Sequence, residues 1–109
     1  MSKILCLVKE PAKPIKFASL DNELHALQSV VGGYIEVHTL NKHIAVICNE
    51  EGRLQRLPYC CSVDGLHFVG PVIFVGVEGE EFASLWMTLE EIERYIPEED
   101  KLRQENWPC

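Results

Sequence analysis

The sequence predicts an α+β fold, a mainly antiparallel sheet with two helices packed on it, and three observations carry that expectation. Lys3 to Lys9 and Leu66 to Val77 are strongly apolar and short enough to be buried strands. Two other segments repeat apolar residues at spacings of three and four, the mark of a helix with one covered face. The resulting order of β, β, α, β-hairpin, β, β, α lacks the strict alternation of a doubly wound parallel sheet.

Taken in order, Lys3 to Lys9 is a buried strand ended by Pro11, and Pro11 to Pro14 is a stiff extended link. Ile15 to Ser19 follows as an edge strand, where nearby prolines cost least because no ladder N–H is needed. Asp21 is the expected N-cap of a helix whose face is Leu20, Leu24, Leu27 and Val31, and Gly32 supplies the left-handed C-terminal position. Tyr34 to Leu40 and Ile44 to Asn49 form a hairpin. Pairing Leu40 with His43 around Asn41-Lys42 collects Ile35, Val37, Thr39, Ile44, Val46 and Cys48 on a core face, leaving Tyr34, Glu36, His38, Ala45, Ile47 and Asn49 opposite. Arg53 to Leu57 is expected as a short strand, Pro58 to Asp64 as an irregular loop, and Leu66 to Val77 as a strand bent at Gly70-Pro71. After a turn at Glu78 to Glu81, Thr88 and Glu91 make a capping box for a helix with Leu85, Leu89, Ile92 and Ile96 on one face. Pro97 stops it.

With 109 residues the chain makes one domain, residues 1–97, followed by a polar tail at 98–109 whose Trp107 hints at a docked end. A composition of 47% hydrophobic and 25% charged residues excludes disordered, collagen-like and disulfide-scaffold classes. Its longest apolar runs are too short to cross a bilayer. Lys9 and Glu10 directly follow the first of these runs, unlike a secretory signal, so the expected compartment is the cytoplasm. Five cysteines without a CxxC pair then read as free thiols.

The net charge of −7 is unevenly spread: residues 1–57 hold 7 Lys/Arg against 6 Asp/Glu, and residues 58–109 hold 3 against 11. Direct nucleic-acid binding, which needs a basic stripe, is disfavoured. Gly32-Gly33 follows a helix instead of preceding one, so it is a cap and not a phosphate loop. Zinc held by Cys60, Cys61 and His67 matches no usual ligand spacing, and the assumed hairpin register separates Cys48 from His38 and His43. No catalytic residue, metal or cofactor is therefore expected, although the loop pair Cys60/Cys61 with His67 leaves a small cysteine- or zinc-dependent enzyme as an alternative. The residues expected to carry recognition are Tyr34, Glu36, Asn49, Glu50 and Glu51, an aromatic ring, an amide and carboxylates at one end of the hairpin. A plainer account has a second helix covering that face. The basic residues Lys9, Lys13, Lys16, Arg53 and Arg56 would bind phosphate only if they converged across two strands, and scattered solubility charges account for them more simply.

Gly32-Gly33-Tyr34-Ile35-Glu36, with Ile47-Cys48-Asn49-Glu50-Glu51-Gly52 and Leu54, resembles a small domain-of-unknown-function family carried by phages, prophages and other mobile elements. The resemblance runs from the opening strand to the closing helix around Ile92 and Tyr95, and the Cys60-Cys61 pair and the tail depart from it. It implies a genomic setting and no activity. Accessory proteins of that setting often act by stoichiometric binding, so the expected function is a non-catalytic protein that neutralises a bacterial defence component, a nuclease-type protein with a basic surface. The alternative is a sponge for a cyclic or ADP-ribose-type signalling nucleotide, in which a homo-oligomer would build the pocket.

Overall fold

Strand Ile44–Asn49 is buried at every position, which happens only when both faces of a sheet are covered. The computed structural model describes residues 3–96, in which this strand is β4. The others are β1 (Lys3–Lys9), β2 (Lys16–Asp21), β3 (Ile35–Asn41), β5 (Tyr59–Val63), β6 (Leu66–Val69), β7 (Val72–Glu78) and β8 (Glu81–Ala83), with helices α1 (Leu24–Val31) and α2 (Leu89–Glu93). The main sheet runs β2-β1-β7-β4-β3, with β8 paired to β7, and β5-β6 form a second sheet. Every pairing is antiparallel. The α+β class thus stands, and β2 lies at an edge as expected.

Alternation along β4 divides the interior in two. Ala45 and Ile47 join Ile73 and Val75 of β7 with Leu27 and Val31 of α1. Ile44, Val46 and Cys48 join Phe74, Phe68, Val63 and Ile92 on the other face. The described cysteines, Cys6, Cys48, Cys60 and Cys61, are all buried free thiols. No helix among the described residues is long and apolar enough to cross a membrane.

The local signals at the two helices act largely as read. Gly32 ends α1 in the left-handed region at φ +83°, its N–H donating to the Gln28 carbonyl at 2.8 Å. Thr88 and Glu91 form both halves of the capping box. The first cap differs, since α1 starts after Glu23, two residues beyond Asp21, without a side-chain cap bond; Asp21 is instead the last residue of β2, paired with Lys3.

Three expectations are corrected. Arg53 to Leu57 is no strand: Gln55 N–H donates to Glu51 and Leu57 N–H to Gly52, so the segment coils in successive turns and Leu54, its apolar mark, is 82% exposed. Pro58 to Asp64 is not a loop but contains β5, joined to β6 through Asp64-Gly65, both at positive φ, the Asp-Gly turn that matches strand twist. Third, the hairpin register is displaced by one residue: Glu36 faces Cys48, His38 faces Val46 and Thr39 faces Ala45, with a bulge before Asn41 pairs with Ile44. The Asn41 side chain accepts from the N–H groups of His43 and Ile44 at 2.7 and 3.1 Å, holding a two-residue turn at Lys42-His43, one residue beyond the expected Asn41-Lys42.

The Gly70-Pro71 bend also does more than curve one strand. Gly70, at φ +74°, donates to the Pro58 carbonyl and carries the chain from the β5-β6 sheet into β7, at the centre of the main sheet. There β7 pairs with β1 through Val72 to Phe74 and with β8 from Gly76 onward. A Cβ on Gly76 would lie 2.4 Å from the Ser84 carbonyl oxygen, so this fork requires glycine. The short β8 itself falls within the segment expected to be a turn and its continuation. The polar tail at 98–109 and Trp107 lie outside the described residues.

Candidate functional site

The corrected register creates the site. Glu36 and His38 are two apart on β3, so both point to the face that carries Cys48 on β4. A donor atom from each lies within 4.8 Å of the other two, and His38 Nε2 meets Glu36 Oε2 in a hydrogen bond. Phe68 of β6 holds the imidazole edge-on, ring centroids 5.3 Å apart and planes at 79°. Cys48 is buried, whereas Glu36 and His38 are partly open. Burial, followed by the negative charge of Glu36, pushes the Cys48 thiol up to about 11, with Arg53 opposing the shift. At neutral pH the sulfur therefore keeps its proton and is a poor unaided nucleophile.

These residues line a cleft of about 260 Å³ between the β3-β4 hairpin, the coiled turn after it and β6. Arg53 crosses it to donate to the His67 carbonyl at 3.0 Å, and Glu50, Leu54 and Leu66 also line it. Leu54 and Leu66 are exposed large apolar side chains.

The five residues expected to form one patch are divided by the fold. Glu36, Asn49 and Glu50 line this cleft, whereas Tyr34 and Glu51 line a more open depression of about 500 Å³ beside the end of α1. Tyr34 is 66% exposed. Asn49 is buried and acts as a clasp: its amide donates to the Val31 carbonyl and to Gln55, while its oxygen accepts from Glu51 N–H at 2.8 Å. A Cβ on Gly33 would lie 3.0 Å from that amide nitrogen, so the glycine makes room for the clasp.

The basic residues are likewise distributed. Lys9 is fully buried, with Nζ donating to the Glu10 carbonyl at 2.9 Å. Lys13 and Lys16 both pair with Glu10, at 3.1 and 3.4 Å, and these contacts hold the Glu10 carboxyl below its ordinary range. Arg53 belongs to the cleft, and Arg56 sits in the coiled turn at φ +56°. Of the alternative thiol group, Cys60 and Cys61 are buried, with Cys60 S–H donating to the Lys9 carbonyl, while His67 pairs with Ser62 and lines the cleft.

Reasoning from sequence set Glu36 and His38 on one face but put Cys48 on the other, and it missed Phe68 as the support of the imidazole. The signal was the continuous apolar run of β4: in a strand covered on both sides, sorting residues by polarity no longer selects a register.

Fold and site together define a small antiparallel α+β domain with a cleft beside its β3-β4 hairpin, lined by Glu36, Glu50, His38, His67 and Arg53 among apolar side chains. The chain belongs to the domain-of-unknown-function family DUF3846, whose model matches residues 3–97. No curated protein and no solved structure matches it.

Proposed function

We propose that the protein acts by stoichiometric binding, receiving a basic protein surface at the cleft between the β3-β4 hairpin and β6. The observation that carries this reading is the pairing of exposed apolar side chains, Leu54 and Leu66, with the carboxylates of Glu36 and Glu50 around one concavity. Apolar anchors with a charged surround are the chemistry of a protein interface, and the carboxylates would speed approach of a cationic partner. The protonated Cys48 thiol favours binding over covalent chemistry. The target class is a nuclease-type component of bacterial defence, met in the cytoplasm of a host that carries the chain on a phage or mobile element. That part rests on the family resemblance at Gly32 to Glu36 and Ile47 to Gly52.

The nucleotide-sponge alternative draws less support, because Lys9 is buried and Lys13 and Lys16 are engaged by Glu10. Pull-down from bacterial lysate with the wild type and with Glu36→Gln/Leu54→Ala tests the choice. The expected result is a basic, nucleic-acid-binding protein retained at low salt and lost in the variant. Capture of no such protein, together with thermal stabilisation by a cyclic nucleotide, would replace this reading with the sponge.

A further inference from the structure

We propose that Glu36, His38 and Cys48 form a zinc site with one coordination position left open toward the cleft. Zinc bond lengths of about 2.0–2.3 Å to oxygen, nitrogen and sulfur set neighbouring tetrahedral ligands roughly 3.3–3.8 Å apart. Donor atoms already within 4.8 Å of one another need only small side-chain movements to reach that geometry. They are placed by strand register and not by flexible loops, since Glu36 lies opposite Cys48 and His38 is next on the same face. Phe68 further limits rotation of the imidazole. The hydrogen bond between His38 Nε2 and Glu36 Oε2 joins two atoms that would both turn to the ion, so zinc binding releases to solvent the proton they share and that of the Cys48 thiol, which coordinates as thiolate.

The donor set selects the metal. One thiolate, one imidazole and one carboxylate suit zinc, whereas calcium and magnesium require oxygen ligands throughout. Among the described residues no fourth His, Cys, Asp or Glu joins the cluster. The remaining position is therefore left to water, as in zinc sites that act on or exchange ligands, and not closed as in structural ones. This arrangement differs from the Cys60, Cys61 and His67 combination weighed from sequence: its ligands come from β3 and β4. The inference stands on side-chain geometry and does not require capture of a protein partner.

The test uses the full chain, stripped with a chelator, dialysed against zinc and assayed for bound metal by plasma mass spectrometry, with cobalt(II) as a spectroscopic probe. The expected result is equimolar zinc, a raised melting temperature, and thiolate-to-cobalt charge-transfer absorption with the visible bands of a four-coordinate ion. Glu36→Gln and His38→Gln should each weaken zinc binding at least about tenfold, no less than the loss of an outer-sphere partner does. Cys48→Ser should remove the charge-transfer absorption, while Cys60→Ser keeps it. Should Cys48→Ser fail to fold, as judged by circular dichroism, the partly open His38 decides through His38→Gln. Absence of zinc from the wild type, undiminished binding by folded His38→Gln, or charge-transfer absorption surviving in folded Cys48→Ser would each overturn the proposal. Zinc binding without partner capture would leave this site standing and remove only the protein-binding reading.

Discussion

The α1 face of the main sheet and the face turned toward the β5-β6 hairpin share strands β4 and β7 but carry different chemistry. On the first, Ile47, Ile73 and Val75 meet Leu27 and Val31, and the buried polar groups are the Cys6 thiol and the Asn49 amide that ties the end of β4 to α1. On the second, Val46 and Phe74 lie in a core that also holds three thiols and adjoins Glu36 and His38. The covering element makes the difference. Helix α1 lays an apolar stripe along one face. The two-stranded β5-β6 hairpin is separate from the main sheet, and a cleft remains where β6, the β3-β4 hairpin and the coiled turn meet. One sheet thus separates packing from chemistry by face, which gives mutations on the two sides different expected signatures.

The strongest way to break this comparison is Ile47→Ala on the α1 face. Removing a fully buried side chain from a dry core should cost about 2–5 kcal/mol in urea unfolding. A loss below about 1 kcal/mol would mean that this face is not the stability core. Next is Asn49→Ala, which removes three hydrogen bonds that tie β4 to α1 and to the turn after it. The expected loss is about 1–3 kcal/mol, because buried backbone partners are left unsatisfied. If stability is unchanged while partner capture falls, Asn49 is a recognition residue after all.

Alkaline titration compares the two faces through their thiols. Burial raises Cys6 and Cys48 from an ordinary 9.0 to about 11, since the folded protein disfavours the thiolate. The unfolded thiols ionise first as pH rises, so their contribution to stability is complete below about pH 9 and is lost toward pH 11. Melting temperature against pH should therefore fall over that window, and fall less in Cys6→Ala/Cys48→Ala. Parallel curves for wild type and variant would show that these thiols do not control the alkaline limb. The smallest stability effect is expected for His38→Ala, within about 0.5 kcal/mol, because the side chain is partly open and removes no core volume. A loss of several kcal/mol would make the imidazole a packing element and erase the distinction between the faces.

Legibility followed the range of the interactions. The Gly32 cap and the Thr88-Glu91 box were readable because each is complete within a few residues. The Asp64-Gly65 turn was equally local, yet the nearby Pro58 and the cysteine pair obscured the β5 strand. Leu54 misled for a different reason: an apolar residue in a short segment suggests a covered face, and this one is exposed at the cleft.

By itself the sequence determined the α+β class, the opening strand, the edge position of β2, the C-terminal end of α1 and the N-terminal end of α2, through propensity, capping and prolines that act over one or two turns. Tertiary structure alone decided which residues of β3 and β4 share a face. A strand has a side-chain period of two, so a slip of one residue moves every side chain to the opposite side. With β4 buried on both faces, hydrophobic sorting could not choose between the registers, and the choice fell to the Asn41 turn, the bulge before it and the pairing of β4 with β7. That choice set Glu36, His38 and Cys48 side by side.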